Sequence, residues 1–182
     1  MIFEEKTITL KNGESAVLRS PDLDDAETML SYIKTASGET EFLLMLPEEY
    51  TQDIEAEGKW IKSINDSPYA MLITCFVGKK AVGNVEIRFR APKKTRHRAS
   101  LAIAVLKEFW GQGVSSNLFE EIIAVAKEKG VEILDLEYIE ENERAKRFYE
   151  KFGFEAVAEL PNAFRQADGS MRKEILMQKY LY

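Results

Sequence analysis

The chain has 182 residues, about one domain's worth and enough for a sizeable buried core. Hydrophobic residues make up 45% and charged residues 31%, the balance of an ordinary globular protein. Lys and Arg number 25 against 31 Asp and Glu, and the formal net charge of −6 argues against coating a nucleic acid. A single cysteine, Cys75, excludes an internal disulfide, and a single histidine, His97, excludes a usual Cys/His zinc site.

The start, Met1-Ile2-Phe3-Glu4-Glu5-Lys6, has neither the cationic head nor the apolar run of a signal peptide. No stretch approaches the ~20 apolar residues of a membrane span. The expectation is a cytoplasmic protein of one domain over 1–182, with no membrane and no nucleic acid among its partners.

Ala16-Val17-Leu18-Arg19 reads as a first strand, closed by Ser20-Pro21. Asp22, Asp24 and Asp25 suit the first turn of a helix through its dipole, and Ala26, Met29, Leu30 and Ile33 then recur at helical spacing. From Glu39 to Tyr50 the pattern is irregular, with Pro47 breaking any long helix; a second helix is predicted over 53–64. The period then changes. Tyr69–Val77 and Ala81–Phe89 are β-rich runs joined by Gly78-Lys79-Lys80, a hairpin signal, and 98–105 is the next strand. A helix over 116–129, a strand over 131–139, a helix over 142–152 capped by Asn142 and ended by Gly153, and strands over 154–160 and 171–179 complete the chain. Strand 98–105, helix 116–129 and strand 131–139 form a β-α-β unit with a right-handed parallel crossover. The predicted class is α+β, with a mixed, mainly antiparallel, twisted sheet of about seven strands flanked by about four helices.

Trp110-Gly111-Gln112-Gly113-Val114-Ser115-Ser116 lies between a strand and a helix start. Two glycines one residue apart allow tight turns and remove Cβ atoms where a ligand would approach. The amides of the following helix start lack partners within the helix, and the dipole there favours an anion. Ser115 and Ser116 add hydroxyl donors. The physics points to a phosphate or pyrophosphate site, although a G-x-G also serves as a plain strand-to-helix turn. No Lys-Ser or Lys-Thr follows the second glycine, so this is not a Walker loop, and no third glycine completes a Rossmann fingerprint.

Downstream stands Asn142-Glu143-Arg144-Ala145-Lys146-Arg147-Phe148-Tyr149-Glu150-Lys151-Phe152-Gly153-Phe154. With the glycine loop, this segment resembles the GCN5-related N-acetyltransferase (GNAT) superfamily. There a strand leads into (Q/R)-x-x-G-x-(G/A) and a helix, and N-x-x-A-x-x-(F/L)-Y-x-(K/R)-x-G-F comes after it. Leu101–Val105 resembles the strand and Gly113 fills the first glycine position. Trp110 stands where the family usually has Gln or Arg, and Ser115 where it has Gly or Ala. The likeness covers roughly residues 70–160.

The resemblance implies a GNAT-like fold with a splay between the strands at 98–105 and 131–139, and acetyl-CoA as acyl donor. Ile103, Ala104 and Val105 would offer backbone groups to the pantetheine arm. Trp110, Gly111, Gln112, Gly113, Val114, Ser115 and Ser116 would cradle the pyrophosphate. Asn142 would contact the cofactor arm, while its sequence position equally suits a helix N-cap. Tyr149 matches the family tyrosine near the thioester sulfur. A phenol titrating near ~10 can protonate a thiolate whose acid titrates near ~8.5.

An attacking amine must be neutral, yet an alkylammonium titrates near ~10.4, so a base is required. Glu137, Glu86 and His97 are the candidates, each also readable as a solvated polar-face residue. Cys75, inside an apolar run, reads as a buried structural thiol. The acceptor pocket is expected from residues 33–50, the start of the second helix and the loop 162–169. Glu39, Glu41, Glu48 and Glu49 there favour a small cationic amine. Acetylation of a protein N-terminus or lysine, and a non-catalytic acyl-CoA-binding sensor, are the alternatives. The strand ending at Tyr180 is expected at an exposed edge, leaving monomer and homodimer both open.

Overall fold

The computed structural model describes residues 1–182. Its strands are β1 (Lys6–Thr9), β2 (Ser15–Arg19), β3 (Ala70–Val77), β4 (Lys80–Phe89), β5 (Arg98–Val105), β6 (Ile133–Ile139), β7 (Glu155–Arg165) and β8 (Met171–Tyr180). They form one sheet in the order β1-β2-β3-β4-β5-β6-β8-β7, antiparallel throughout except for the parallel β5–β6 pair. The sheet is flanked by α1 (Ala26–Gly38), α2 (Ile54–Asp66), α3 (Val114–Glu128) and α4 (Glu143–Lys151).

There are eight strands where the sequence pattern predicts about seven. The additional one is β1, four residues that are nearly all exposed and so carry no apolar alternation. β7 runs on through Pro161 to Arg165, and the irregular register between Leu160 and Phe164 absorbs the proline and the left-handed Asn162. A proline is tolerated there because β7 is an edge strand. The strand ending at Tyr180 is therefore not the edge. β8 is enclosed between β6 and β7, so two-fold pairing through it is closed off, and the free edges are β1 and β7.

The sheet is covered on both faces. β3 reads Ala-Met-Leu-Ile-Thr-Cys-Phe-Val, almost wholly buried, as a strand with helices on both sides requires. On one face Leu118, Phe119, Ile122 and Ala126 of α3 pack with Val85, Ile87, Leu134 and Phe154. On the other, Met29 and Tyr32 of α1 and Ile61 and Ile64 of α2 pack with Leu72, Phe76 and Leu106. The α1–α2 layer covers β3 and β4 and stops short of β6, which leaves that end of the sheet open.

The fork is the feature that positions the site. β5 and β6 pair only at Arg98↔Ile133, Ala99↔Leu134 and Ser100↔Asp135, after which the strands diverge. Asp135, 4% exposed, locks the stem, accepting from Arg98 Nη2 at 2.5 Å and Nε at 3.0 Å, and from Arg90 at 3.4 Å. Beyond Ser100 the facing edges of the two strands are free of each other.

Candidate active site

The fork opens into a cleft of about 1110 Å³. Its walls include Leu101–Val105 of β5, Trp110 and Ser115 of the glycine loop and α3, Glu137 of β6, and Asn142 and Tyr149 of the segment around α4. Sequence-predicted residues separated by some fifty positions thus meet around one cavity. Gly111, Gln112, Gly113, Val114 and Ser116 form the loop and first helical turn beside it.

The loop is built by conformation. Gly113 is the N-cap of α3 with φ of 96° and Gly111 has φ of 77°, values that side-chain-bearing residues rarely adopt. No side chain caps the helix, so the amides of Val114, Ser115 and Ser116 are free to receive a ligand anion. The Val114 side chain is buried, so only its backbone serves the loop. The turn is pinned from behind, because the Lys11 amide donates to the Gln112 carbonyl at 3.0 Å. Gly83 on β4 makes room for this helix end. A Cβ there would stand 2.9 Å from Val105 Cγ2 and 3.0 Å from Val114 Cγ1.

Two carbonyls of the strand segment expected to meet the pantetheine arm already accept hydrogen bonds. The Tyr32 hydroxyl donates to Ala104 at 2.8 Å, and the Trp110 indole Nε1 donates to Val105 at 2.8 Å. Val105, whose backbone polar groups point away from β4, retains a second lone pair for a ligand, whereas Ala104 faces β4 in the ladder. Trp110 is itself covered by Arg144, whose guanidinium carbon lies 3.8 Å from the ring centroid, with Lys107 Nζ at 5.7 Å. Trp110, the departure from the usual family residue, thus acts as a post between β5 and two cations at the mouth of the phosphate loop. Sequence reasoning missed Arg144, Lys107, Gly83 and Tyr32. The two cations beside a glycine loop were a signal open to it; Gly83 and Tyr32 gave none.

Tyr149 is 7% exposed, with Phe119 stacked on it at 5.8 Å and Phe154 at 6.2 Å. Burial raises its phenol well above the ordinary value, so it holds its proton at neutral pH. Asn142 is the N-cap of α4, its Oδ1 accepting from the Ala145 amide at 3.1 Å, and it also lines the cleft. The two sequence readings of Asn142 are compatible.

The three candidate bases are dispersed. Glu137 lies in the cleft wall with Tyr149, and partial burial together with Glu174 and Asp135 raises its carboxyl. Glu86 lies instead in an adjoining cavity of about 500 Å³ on the α1–α2 side, which shares the walls Leu43, Ala102, Ile103 and Ala104 with the cleft. Burial raises its carboxyl despite the neighbouring Arg88. His97 precedes β5 at the closed end of the fork, its carbonyl accepting from the Glu132 and Ile133 amides, and lines neither cavity.

Of the acidic residues expected on the acceptor side, Glu39 and Glu41 line the main cleft, Glu39 also accepting from the distant Lys107 amide, while Glu49 caps the local Leu46 amide. The negative charge in the second cavity comes instead from Glu86 and from Glu57, which sequence reasoning passed over as one of several acids on α2. Cys75 is fully buried and its thiol is pushed up to about 12, as a structural cysteine should be. No group of His, Cys, Asp or Glu is arranged to hold a metal ion, and no helix is long and apolar enough to cross a membrane.

Residues 37–154 match the acetyltransferase (GNAT) family model, and the chain belongs to that family. The fold is that of a GNAT-family acetyltransferase from Streptococcus pneumoniae, with a TM-score of 0.84, 25% identity, and coverage of 91% of this chain and 99% of that one. YncA from Salmonella typhimurium, a structure with its cofactor acetyl-CoA, is similar at a TM-score of 0.78 and 17% identity, covering 92% of this chain and 94% of that one. A [ribosomal protein bS18]-alanine N-acetyltransferase from Haemophilus influenzae is 35% identical over 79 residues, 43% of this chain. The match spans about half, 53%, of that relative's length.

Proposed function

We propose that this acetyltransferase moves the acetyl group of acetyl-CoA to the nitrogen of a primary amine, cationic when free in solution, by direct attack while both substrates are bound. The observation that carries this reading is the fork: free strand edges, an uncapped helix N-terminus and a buried phenol converge on one cleft. Val114, Ser115 and Ser116 would hold the pyrophosphate with their amides, helped by the Arg144 and Lys107 charges. The free edge of β5 would receive the pantetheine arm as a further strand would. Acetyl-CoA supplies an activated thioester carbonyl to the amine nitrogen, and cleavage of the C–S bond releases coenzyme A as its thiol.

Glu137 takes the proton that the amine must lose. Its raised carboxyl brings it nearer the range where it exchanges protons with an amine, in keeping with general-base work. Tyr149, kept protonated by burial, gives its proton to the departing sulfur. His97 has no part, being outside both cavities. The cytoplasm suits this use of acetyl-CoA, and a monomer would suffice because every group named lies on one chain.

A second reading makes the acceptor the N-terminal amine of a protein, favoured by the alanine N-acetyltransferase relative. Titration calorimetry with acetyl-CoA, coenzyme A and ATP tests the donor site. Micromolar binding of both coenzyme A forms with ATP much weaker is expected, and absence of coenzyme A binding refutes the reading. Free-thiol release with small amines against an alanine-initiated peptide then separates the two acceptors.

A further inference from the structure

The second cavity bears on which amine is used, and its role as an acceptor pocket rests on the acetyltransferase reading. Its walls are largely carbon, with Met29, Ile33 and Trp60 facing the shared β5 segment. Two carboxylates enter it. Glu57 is 5% exposed and has a single long hydrogen bond, from Gln52 Nε2 at 3.4 Å. Glu86 Oε1 is fully buried and ion-paired with the guanidinium of Arg88, a largely exposed side chain, without a well-aligned hydrogen bond. A buried carboxylate held only by a 3.4 Å hydrogen bond, and a second whose only cation is solvent-exposed, are costly, and an arriving cation lowers that cost.

The same pair sets what the cavity refuses. A substrate carboxylate would add a third negative charge, which these walls have no free cation to meet. A polyamine would lay its second ammonium against the carbon of Met29, Ile33 and Trp60, a poorer setting for charge than water. We propose that the acceptor is a primary amine on a compact apolar body with no adjacent carboxylate, its ammonium received by Glu57 and Glu86 and its body by Met29, Ile33 and Trp60. As the nitrogen moves to the junction of the two cavities at Ile103 and Ala104 it gives its proton to Glu137, the base of the proposed reaction, and meets the thioester neutral.

The test is free-thiol release by the full chain at saturating acetyl-CoA, with 2-phenylethylamine, L-phenylalaninamide, L-phenylalanine, putrescine and a phenylalanine-initiated tripeptide. The first two should exceed L-phenylalanine and putrescine at least tenfold in kcat/KM. The tripeptide exceeding 2-phenylethylamine would support the same pocket and identify a peptide as the source of the amine. In Glu57→Gln and Glu86→Gln, KM for 2-phenylethylamine should rise about tenfold with acetyl-CoA affinity unchanged.

Putrescine or L-phenylalanine matching 2-phenylethylamine overturns the proposal, as does no turnover of any of them by protein that binds acetyl-CoA. Turnover of putrescine alone would sink this inference and leave the acetyltransferase reading intact. Loss of acetyl-CoA binding by the unaltered chain would sink both.

Discussion

Replacing Tyr149 by Phe removes one oxygen and leaves the aromatic cage in place. The ring is held by Phe119 at 5.8 Å, Phe148 at 5.7 Å and Phe154 at 6.2 Å, and these contacts concern the ring alone. Stability should therefore change by less than about 1 kcal/mol, the scale of one ordinary hydrogen bond. Tyr149→Ala, by contrast, empties a ring-sized volume in the core and should cost about 3–5 kcal/mol. Catalysis should behave oppositely. If the phenol protonates the departing thiolate, Tyr149→Phe lowers kcat by about 10²–10⁴-fold while coenzyme A affinity stays level. Because burial raises the phenol above its ordinary value, Tyr149 does not titrate in the working range and adds no break to the pH profile between about 6 and 9. The assays are initial-rate thiol release, calorimetry with coenzyme A, and thermal unfolding. An unchanged kcat would remove Tyr149 from the mechanism; a large fall in melting temperature would show that the hydroxyl is structural.

A base must be deprotonated to act, so the raised Glu137 carboxyl should place the acid limb of the kcat profile above the ordinary glutamate value of about 4.3, and Glu137→Gln should abolish that limb and most activity. Gly83→Ala forces a Cβ to 2.9 Å from Val105 and 3.0 Å from Val114, and should weaken coenzyme A binding by displacing the start of α3, as calorimetry would register. Asp135→Asn leaves Arg98 and Arg90 facing each other at the stem of the fork and should cost about 3 kcal/mol in denaturant unfolding. Native protein should leave a disulfide-exchange reagent unreacted at Cys75 until denatured, which also keeps the thiol-release assay free of background.

The order of elements was legible because each has its own period and its own stop signal. α3 and α4 end at Gly130 and Gly153, and β4 alternates Val85, Ile87 and Phe89 with polar residues. β1 was illegible: Lys6–Thr9 has one half-buried side chain and is held by pairing with β2, a tertiary fact. The place of β8 was illegible for a related reason. Alternation says which face of a strand is buried and is silent on which strand lies beside it, so β8 could be read as an edge although it is enclosed.

The site divides along the same line. The glycine loop and the Asn142–Phe154 segment are local motifs, and the family resemblance they carry is what assigned them to one site. The charges are not local. Glu39 and Glu49 carry negative charge in the sequence and direct it to the Lys107 and Leu46 amides, while Glu57, undistinguished in the sequence, and Glu86, read there only as a candidate base, are the ones desolvated in a cavity. A carboxylate's meaning depends on which donor reaches it first, and that donor can be three residues away, as for Glu49, or sixty-eight, as for Glu39. The acids left over for a ligand are those whose neighbours in space are carbon. For that reason the proposed acyl-donor half could be read from motifs, whereas the proposed acceptor half became legible only when α1, α2, β4 and β5 were seen to enclose one volume.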